Sequence, residues 1–136
     1  MNHPILAIDY GDARIGLAAT DDFGISLHPA GTLENGKDDV FTKLKEIATQ
    51  RKTATLVLGL PLRMDGSEGD SAAKVRVFGQ EIREVLPDIP LFFHDERLST
   101  VSAAEKLRSG GKNAKQQKKM IDQAAAMEIL RDFLNW

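Results

Sequence analysis

The sequence predicts an α/β fold in which a five-stranded mixed sheet is flanked by helices. Short apolar segments separated by tight turns come first, and two further apolar runs follow, each preceded by apolar residues at helical spacing. A chain of 136 residues, 42% of them hydrophobic, is long enough to bury a core of its own. We therefore expect one domain over residues 1–136.

The first third of the chain is typical of three strands joined by short turns. In the first strand, residues 5–10, apolar side chains fall on both faces and Asp9 lies near the end. A turn at residues 11–13, in which Gly11 is able to adopt a positive φ, leads to the second strand. The third strand, residues 25–33, contains Pro29, whose missing N–H favours a sheet edge or a bulge. Links this short favour antiparallel hairpins.

The middle of the chain alternates helices with apolar runs. Helical spacing predicts one helix that begins at Val40 with Asp39 as its cap, and another that ends at Val85. Solid apolar runs at residues 55–60 and 91–94 predict buried parallel strands reached by crossovers.

Two helices close the chain, a short one from Ser99 to about Leu107 and a long one after a basic linker at residues 112–119. Three meandering strands followed by crossovers require the first strand to pair with the hairpin on one side and a parallel strand on the other. The first strand therefore belongs near the centre of the sheet, which is the ribonuclease H-like arrangement.

Three carboxylates from distant parts of the chain are predicted to meet at one end of this sheet. Asp9 ends the first strand and Glu96 follows the last one, where ligands bind in α/β sheets. Asp122 shares a helix face with Ala126 and Ile129, which directs it toward the sheet. We interpret the three residues as both catalytic acids and metal ligands.

The charge of this cluster indicates its chemistry. Two carboxylates about 4 Å apart repel by on the order of 4 kcal/mol at an effective dielectric near 20. Mg²⁺ or Mn²⁺ prefers oxygen ligands and would offset that repulsion. Such a site activates water and stabilises the leaving oxygen of a phosphodiester, so a metal-dependent endonuclease is predicted.

Each feature also has a simpler interpretation. The position of Asp9 is also typical of a turn former or a helix cap. Glu96 and Asp122 also fit the role of ordinary ion-pair partners of nearby basic residues. Asp95 is either a secondary ligand or a cap for the following helix. The loop at residues 59–69 either approaches phosphates or is a surface loop.

Basic residues supply the charge that a nucleic acid partner needs. The net charge is −2, yet residues 112–119 contain four lysines and no acid, and lead into the helix of Asp122. Such a run is also typical of a solvated helix face. The predicted nucleic-acid-binding residues are Arg14, Arg63, Arg97, Lys115, Lys118 and Lys119.

Four segments carry a resemblance to a known family: DYGDARIGLA at residues 9–18, GLPLRMDGS at 59–67, DERLST at 95–100 and IDQAA at 121–125. They resemble the YqgF family, also called RuvX. Its members are bacterial cytoplasmic ribonuclease H-like proteins described as pre-16S rRNA nucleases and as Holliday junction resolvases. The resemblance implies processing of the 5′ end of pre-16S rRNA, with Asp9, Glu96 and Asp122 as the acidic positions.

The composition of the chain excludes several kinds of site and indicates where the protein is located. The chain contains no cysteine, which excludes disulfides, thiolate zinc sites and a cysteine nucleophile. It shows no signal peptide and no transmembrane run, so we expect a cytoplasmic protein without a membrane partner.

Three alternatives stay open. Junction resolution needs two symmetric cuts and hence a dimer, whereas RNA processing does not, and we expect a monomer or a weak homodimer. An actin-like or sugar-kinase-like ATPase needs two such domains around its nucleotide. A non-catalytic nucleic-acid-binding module predicts that the carboxylates are dispensable.

Overall fold

The computed structural model describes residues 2–37, 39–96 and 114–135, with side chains in the last range from residue 123 onward. The elements in these ranges are, in chain order, β1 (Ile5–Tyr10), β2 (Arg14–Thr20), β3 (Leu27–Glu34), α1 (Val40–Gln50), β4 (Thr55–Leu60), α2 (Asp70–Val85), β5 (Leu91–Asp95) and α3 (Ala114–Leu134). The helix predicted from Ser99 to Leu107 lies outside the described residues. Among the described helices, none has the length and apolar character needed to cross a membrane.

The sheet has the order β3-β2-β1-β4-β5, which places β1 at the centre as predicted. β2 pairs with β1 antiparallel, β4 pairs with its other edge parallel, and β5 extends the parallel half. This confirms a five-stranded mixed sheet. A strand held on both edges fixes the positions of the residues at its end.

Both faces of β1 are buried, which explains its almost wholly apolar sequence. Leu6 and Ile8 belong to a core formed with α1 and α2. Ile5 and Ala7 belong to a second core formed with α3. Because side chains alternate along a strand, Asp9 lies on the second face, toward α3.

Of the predictions for the two strands at the edges of the sheet, one is confirmed and one is wrong. β3 is an edge strand, as Pro29 predicts, and its pairing with β2 shifts register between Leu17 and Ala18, beside Pro29. β3 begins at Leu27, two residues later than expected. The prediction that the last strand is fully buried is wrong, because β5 is also an edge strand and Phe92 is 42% exposed. An apolar run does not reveal whether a neighbouring strand covers it.

The helix starts follow local chemistry. Asp39 caps α1 as predicted, since its carboxylate accepts a 3.3 Å hydrogen bond from the Thr42 N–H. α3 begins at Ala114, so residues expected in a basic linker belong to a helix. Lysine and glutamine are good helix formers, which explains the earlier start.

Gly11 is required in the turn after β1 for space. It is not among the glycines that adopt a positive φ in the described part of the chain, so its freedom to adopt one is not used. A Cβ at this position would lie 2.6 Å from the carbonyl oxygen of Arg14. The tight β1–β2 connection therefore requires glycine for space.

Candidate active site

Asp9 and Glu96 lie side by side on the sheet face that α3 covers. The parallel register of β1 and β4 places Asp9 next to Gly59. Glu96 directly follows β5, and its N–H donates a 3.2 Å hydrogen bond to the carbonyl oxygen of Leu60. A side-chain hydrogen bond joins the two carboxyl groups. The structure thus brings together two of the three predicted carboxylates.

Gly59 provides the space that the Glu96 side chain occupies. A Cβ at Gly59 would lie 2.6 Å from Oε2 of Glu96 and 2.6 Å from Cδ1 of Ile129 on α3. Any other residue at this position must displace the carboxyl group or the helix. Sequence reasoning missed this role, although a glycine in an apolar strand is a known sign of close approach by another group.

The electrostatic environment of Glu96 is unusual for a carboxyl group. Burial is the largest effect, and together with the charge and hydrogen bond of Asp9 and the charge of Asp95 it raises the pKa of Glu96 from 4.5 to about 9. Glu96 therefore keeps its proton at neutral pH. A cation bound between the two groups would replace that proton.

The region of α3 that contains Asp122 lies over the same part of the sheet. Across the strands, Thr32 pairs with Gly16, and Gly16 pairs with Asp9. Nε2 of Gln123 donates a 3.0 Å hydrogen bond to Oγ1 of Thr32, which fixes α3 at the level of Asp9. The side chain of Asp122 lies outside the described residues, so its predicted role stays a prediction.

The predicted nucleic-acid-binding residues are spread over several elements. Arg14 begins β2 on the same sheet face as Asp9 and pairs across the strands with Glu34. The Arg63 guanidinium packs over Gly69, the N-cap of α2, where a Cβ would lie 2.8 Å from its Nε. Lys115, Lys118 and Lys119 belong to α3 by backbone, and Arg97 lies outside the described residues.

His94 on β5 has a structural partner on α3. Nε2 of His94 lies 2.6 Å from Oδ2 of Asp132, and the ring meets that of Phe133 edge to face. These contacts join β5 to the end of α3. They make His94 a packed strand residue.

Comparison with known proteins identifies the relatives of this chain. The family model described as "RuvX: Holliday junction resolvase" matches residues 3–136. The chain belongs to the RuvX family. Curated relatives of this RuvX chain bear the name "Putative pre-16S rRNA nuclease". The protein from Streptomyces avermitilis is 42% identical over 95% of this chain and 83% of its own length. The protein from Cutibacterium acnes is 40% identical over 95% of this chain and 80% of its own length.

Solved structures show the fold of the RuvX chain independently. Thermus thermophilus RuvC, in a complex with Holliday junction substrate, aligns with a TM-score of 0.56 and 11% identity over 97% of this chain and 96% of that one. A second structure of the same protein aligns with a TM-score of 0.57 and 10% identity, over 98% of this chain and 97% of that one. At this identity the likeness establishes the ribonuclease H-like fold.

The donors at the RuvX site fit a hard divalent cation. Asp9 and Glu96 offer carboxylate oxygens, which Mg²⁺ and Mn²⁺ prefer, and the raised pKa of Glu96 marks a place where positive charge is favourable. Within the described side chains, no cluster of three histidine, cysteine or acidic residues could hold a metal ion. A complete ligand set therefore needs a contribution from elsewhere, such as Asp122.

Proposed function

We propose that this RuvX-family chain is a metal-dependent endonuclease that cleaves structured nucleic acid, with the 5′ end of pre-16S rRNA as its substrate. The observation that carries the proposal is the Asp9–Glu96 pair, two half-buried carboxyl groups joined by a hydrogen bond where β1 and β5 end. A pair that only stabilised the fold would not place two acids where their charges repel. The names of the relatives support the RNA substrate.

Asp9, Glu96 and Asp122 would hold Mg²⁺ or Mn²⁺. A divalent cation bound there supplies a water of lowered pKa and positive charge for the leaving oxygen. Helical periodicity places position 122 one turn before Ala126, which is buried against the sheet, and this supports Asp122 as the third ligand. The chain's own contribution is to fix the two strand carboxylates at one point, with Gly59 leaving room for the second.

Binding of the substrate requires cations around these acids. Arg14 begins β2, Arg63 lies beside the N-cap of α2, the lysines belong to the first turns of α3, and Arg97 directly follows Glu96 in sequence, which supports their assignment as phosphate-binding residues. Neutralisation of backbone phosphates by such residues makes binding weaken as salt rises. An rRNA precursor as substrate also places the protein in the cytoplasm.

Asp9→Asn tests the proposal, because it keeps the size of the side chain and removes its charge. The parent protein is expected to cleave a precursor 16S rRNA fragment with Mg²⁺ or Mn²⁺ and to lose activity with EDTA. Asp9→Asn is expected to bind the fragment without cleaving it, while the exposed control Asp88→Asn behaves as the parent. Cleavage by purified Asp9→Asn at the parent's rate would refute the proposed role.

Resolution of four-way DNA junctions is the second candidate, because the matching family model carries that description. Side-by-side incubation with precursor rRNA and a synthetic junction separates the two. Junction cleavage requires a dimer that makes paired symmetric cuts, so sedimentation with the preferred substrate gives a second criterion. Binding of either substrate without metal-dependent cleavage would instead indicate a non-catalytic module.

A further inference from the structure

A cleft of about 310 Å³ extends from the acid pair toward the start of α2. Asp9 and Glu96 line one side, and Ser71 and Lys74 of α2 line the other. The turn after β1 contributes Asp12. The cleft is thus continuous with the candidate active site. Its α2 side carries polar residues that have no part in the acid pair.

Lys74 is the only positively charged residue among the described residues that line this cleft. Three of the other lining residues are acidic, so an anionic nucleic acid backbone entering the cleft meets repulsion unless Lys74 offsets it. Lys74 could not be singled out from sequence alone, because α2 contains other basic residues. Arg76, two positions later, is already engaged by two 2.8 Å hydrogen bonds to Glu68.

The present partner of Lys74 is weak and replaceable. Its Nζ lies 3.4 Å from Oδ1 of Asp12, and the two side chains are 60% and 80% exposed. Ion pairs with this exposure contribute little to stability. The ion pair therefore keeps the ammonium group at the cleft, and the stability of the fold does not depend on it.

We propose that Lys74 binds a backbone phosphate next to the scissile one, with the Ser71 hydroxyl as a second donor on the same wall. This proposal rests on the proposed nuclease function and adds a phosphate subsite to it. Asp12 competes with the phosphate for Lys74, and binding exchanges one partner for the other. Lys74 is a binding residue here, because it lines the same cleft as the acid pair but belongs to α2.

Lys74→Gln tests the subsite, with Lys45→Gln as a matched control on the exposed face of α1. The measurement is the affinity for a labelled precursor 16S rRNA fragment in EDTA, over a range of salt concentrations. Lys74→Gln is expected to weaken binding several-fold and to reduce the salt slope by about 0.7 to 0.9, the contribution of one phosphate contact. Under cleavage conditions KM should rise while kcat stays near the parent value. Lys45→Gln should change none of these.

Asp12→Asn provides a second test through the competing partner. Asp12→Asn should raise the affinity of the parent for the rRNA fragment. The increase should be smaller in the Lys74→Gln background, because Asp12 then has no lysine for which to compete with the phosphate. Equal gains in both backgrounds, or equal salt slopes for Lys74→Gln and Lys45→Gln, would overturn the subsite. If the parent binds but does not cleave, the nuclease proposal fails separately, and the salt slopes still decide whether Lys74 binds phosphate.

Discussion

Glu96→Gln is expected to stabilise the metal-free protein at neutral pH, by an amount that grows as the pH rises. Glutamine has nearly the size of glutamate, and its amide can donate the hydrogen bond that protonated Glu96 shares with Asp9. The substitution therefore keeps the packing over Gly59 and removes only the ionisation. This isolates the electrostatic property that distinguishes the site.

The magnitude follows from the difference in proton affinity between the folded and unfolded states. The pKa of Glu96 is raised from 4.5 to about 9 on folding. Below the lower value both states hold the proton. Between the two values only the folded state holds it, so the free energy of unfolding falls by up to about 1.4 kcal/mol for each pH unit. At pH 7 the accumulated loss is about 3 kcal/mol, and Glu96→Gln avoids it.

Urea unfolding in EDTA at several values between pH 5 and pH 9 measures this difference. The parent and Glu96→Gln should have similar stability near pH 5 and diverge above it. Glu84→Gln, on the exposed face of α2, is the matched control and should follow the parent. The reasoning is refuted if Glu96→Gln follows the parent at every pH.

Added Mg²⁺ or Mn²⁺ should reverse the order of the two proteins. A cation that binds only the folded state stabilises it in proportion to the logarithm of its concentration over Kd. The parent should gain stability on addition of the metal, and Glu96→Gln should gain much less because it lacks one charged ligand. A gain of the same size in both proteins would place the metal elsewhere.

Three further substitutions test other parts of the structure. Gly59→Ala should keep the circular dichroism of the parent but lower cleavage by roughly 100-fold, because a displaced carboxyl group loses its geometry; full activity would show that the Glu96 position is not critical. Thr20→Val removes the buried Oγ1 that accepts a 2.8 Å hydrogen bond from the Ile5 N–H, and should lower the free energy of unfolding in urea by about 1 to 3 kcal/mol. Asp39→Ala removes the α1 cap and should cost about 1 kcal/mol in the same assay, with no effect on cleavage.

The features that could be predicted from sequence are those with a local physical cause. The short turns after β1 and the crossovers later in the chain require β1 to pair on both edges, and this placed the strand at the centre. The missing N–H of Pro29 assigned β3 to an edge, and the carboxylate of Asp39 marked the start of α1. Asp9 and Glu96 could be brought together because parallel strands present their carboxyl ends at one edge of a sheet.

The features that escaped prediction depend on packing between elements distant in sequence. The need for glycine at position 59 comes from Glu96 and Ile129, which lie far along the chain. Lys74 differs from other helical lysines only in the cleft that it faces. The exposure of Phe92 depends on which strand ends the sheet. No local pattern contains this information.

The central position of β1 has a consequence for the order in which the protein is made. β2 is synthesised directly after β1 and can pair with it at once, but β4, which covers the other edge of β1, begins 50 residues after β1 begins, at Thr55. During that interval an almost wholly apolar strand presents an open edge, a template for pairing with another chain. Growing chains that stall before β4 are therefore the species most prone to aggregate, and completion of β4 ends this exposure.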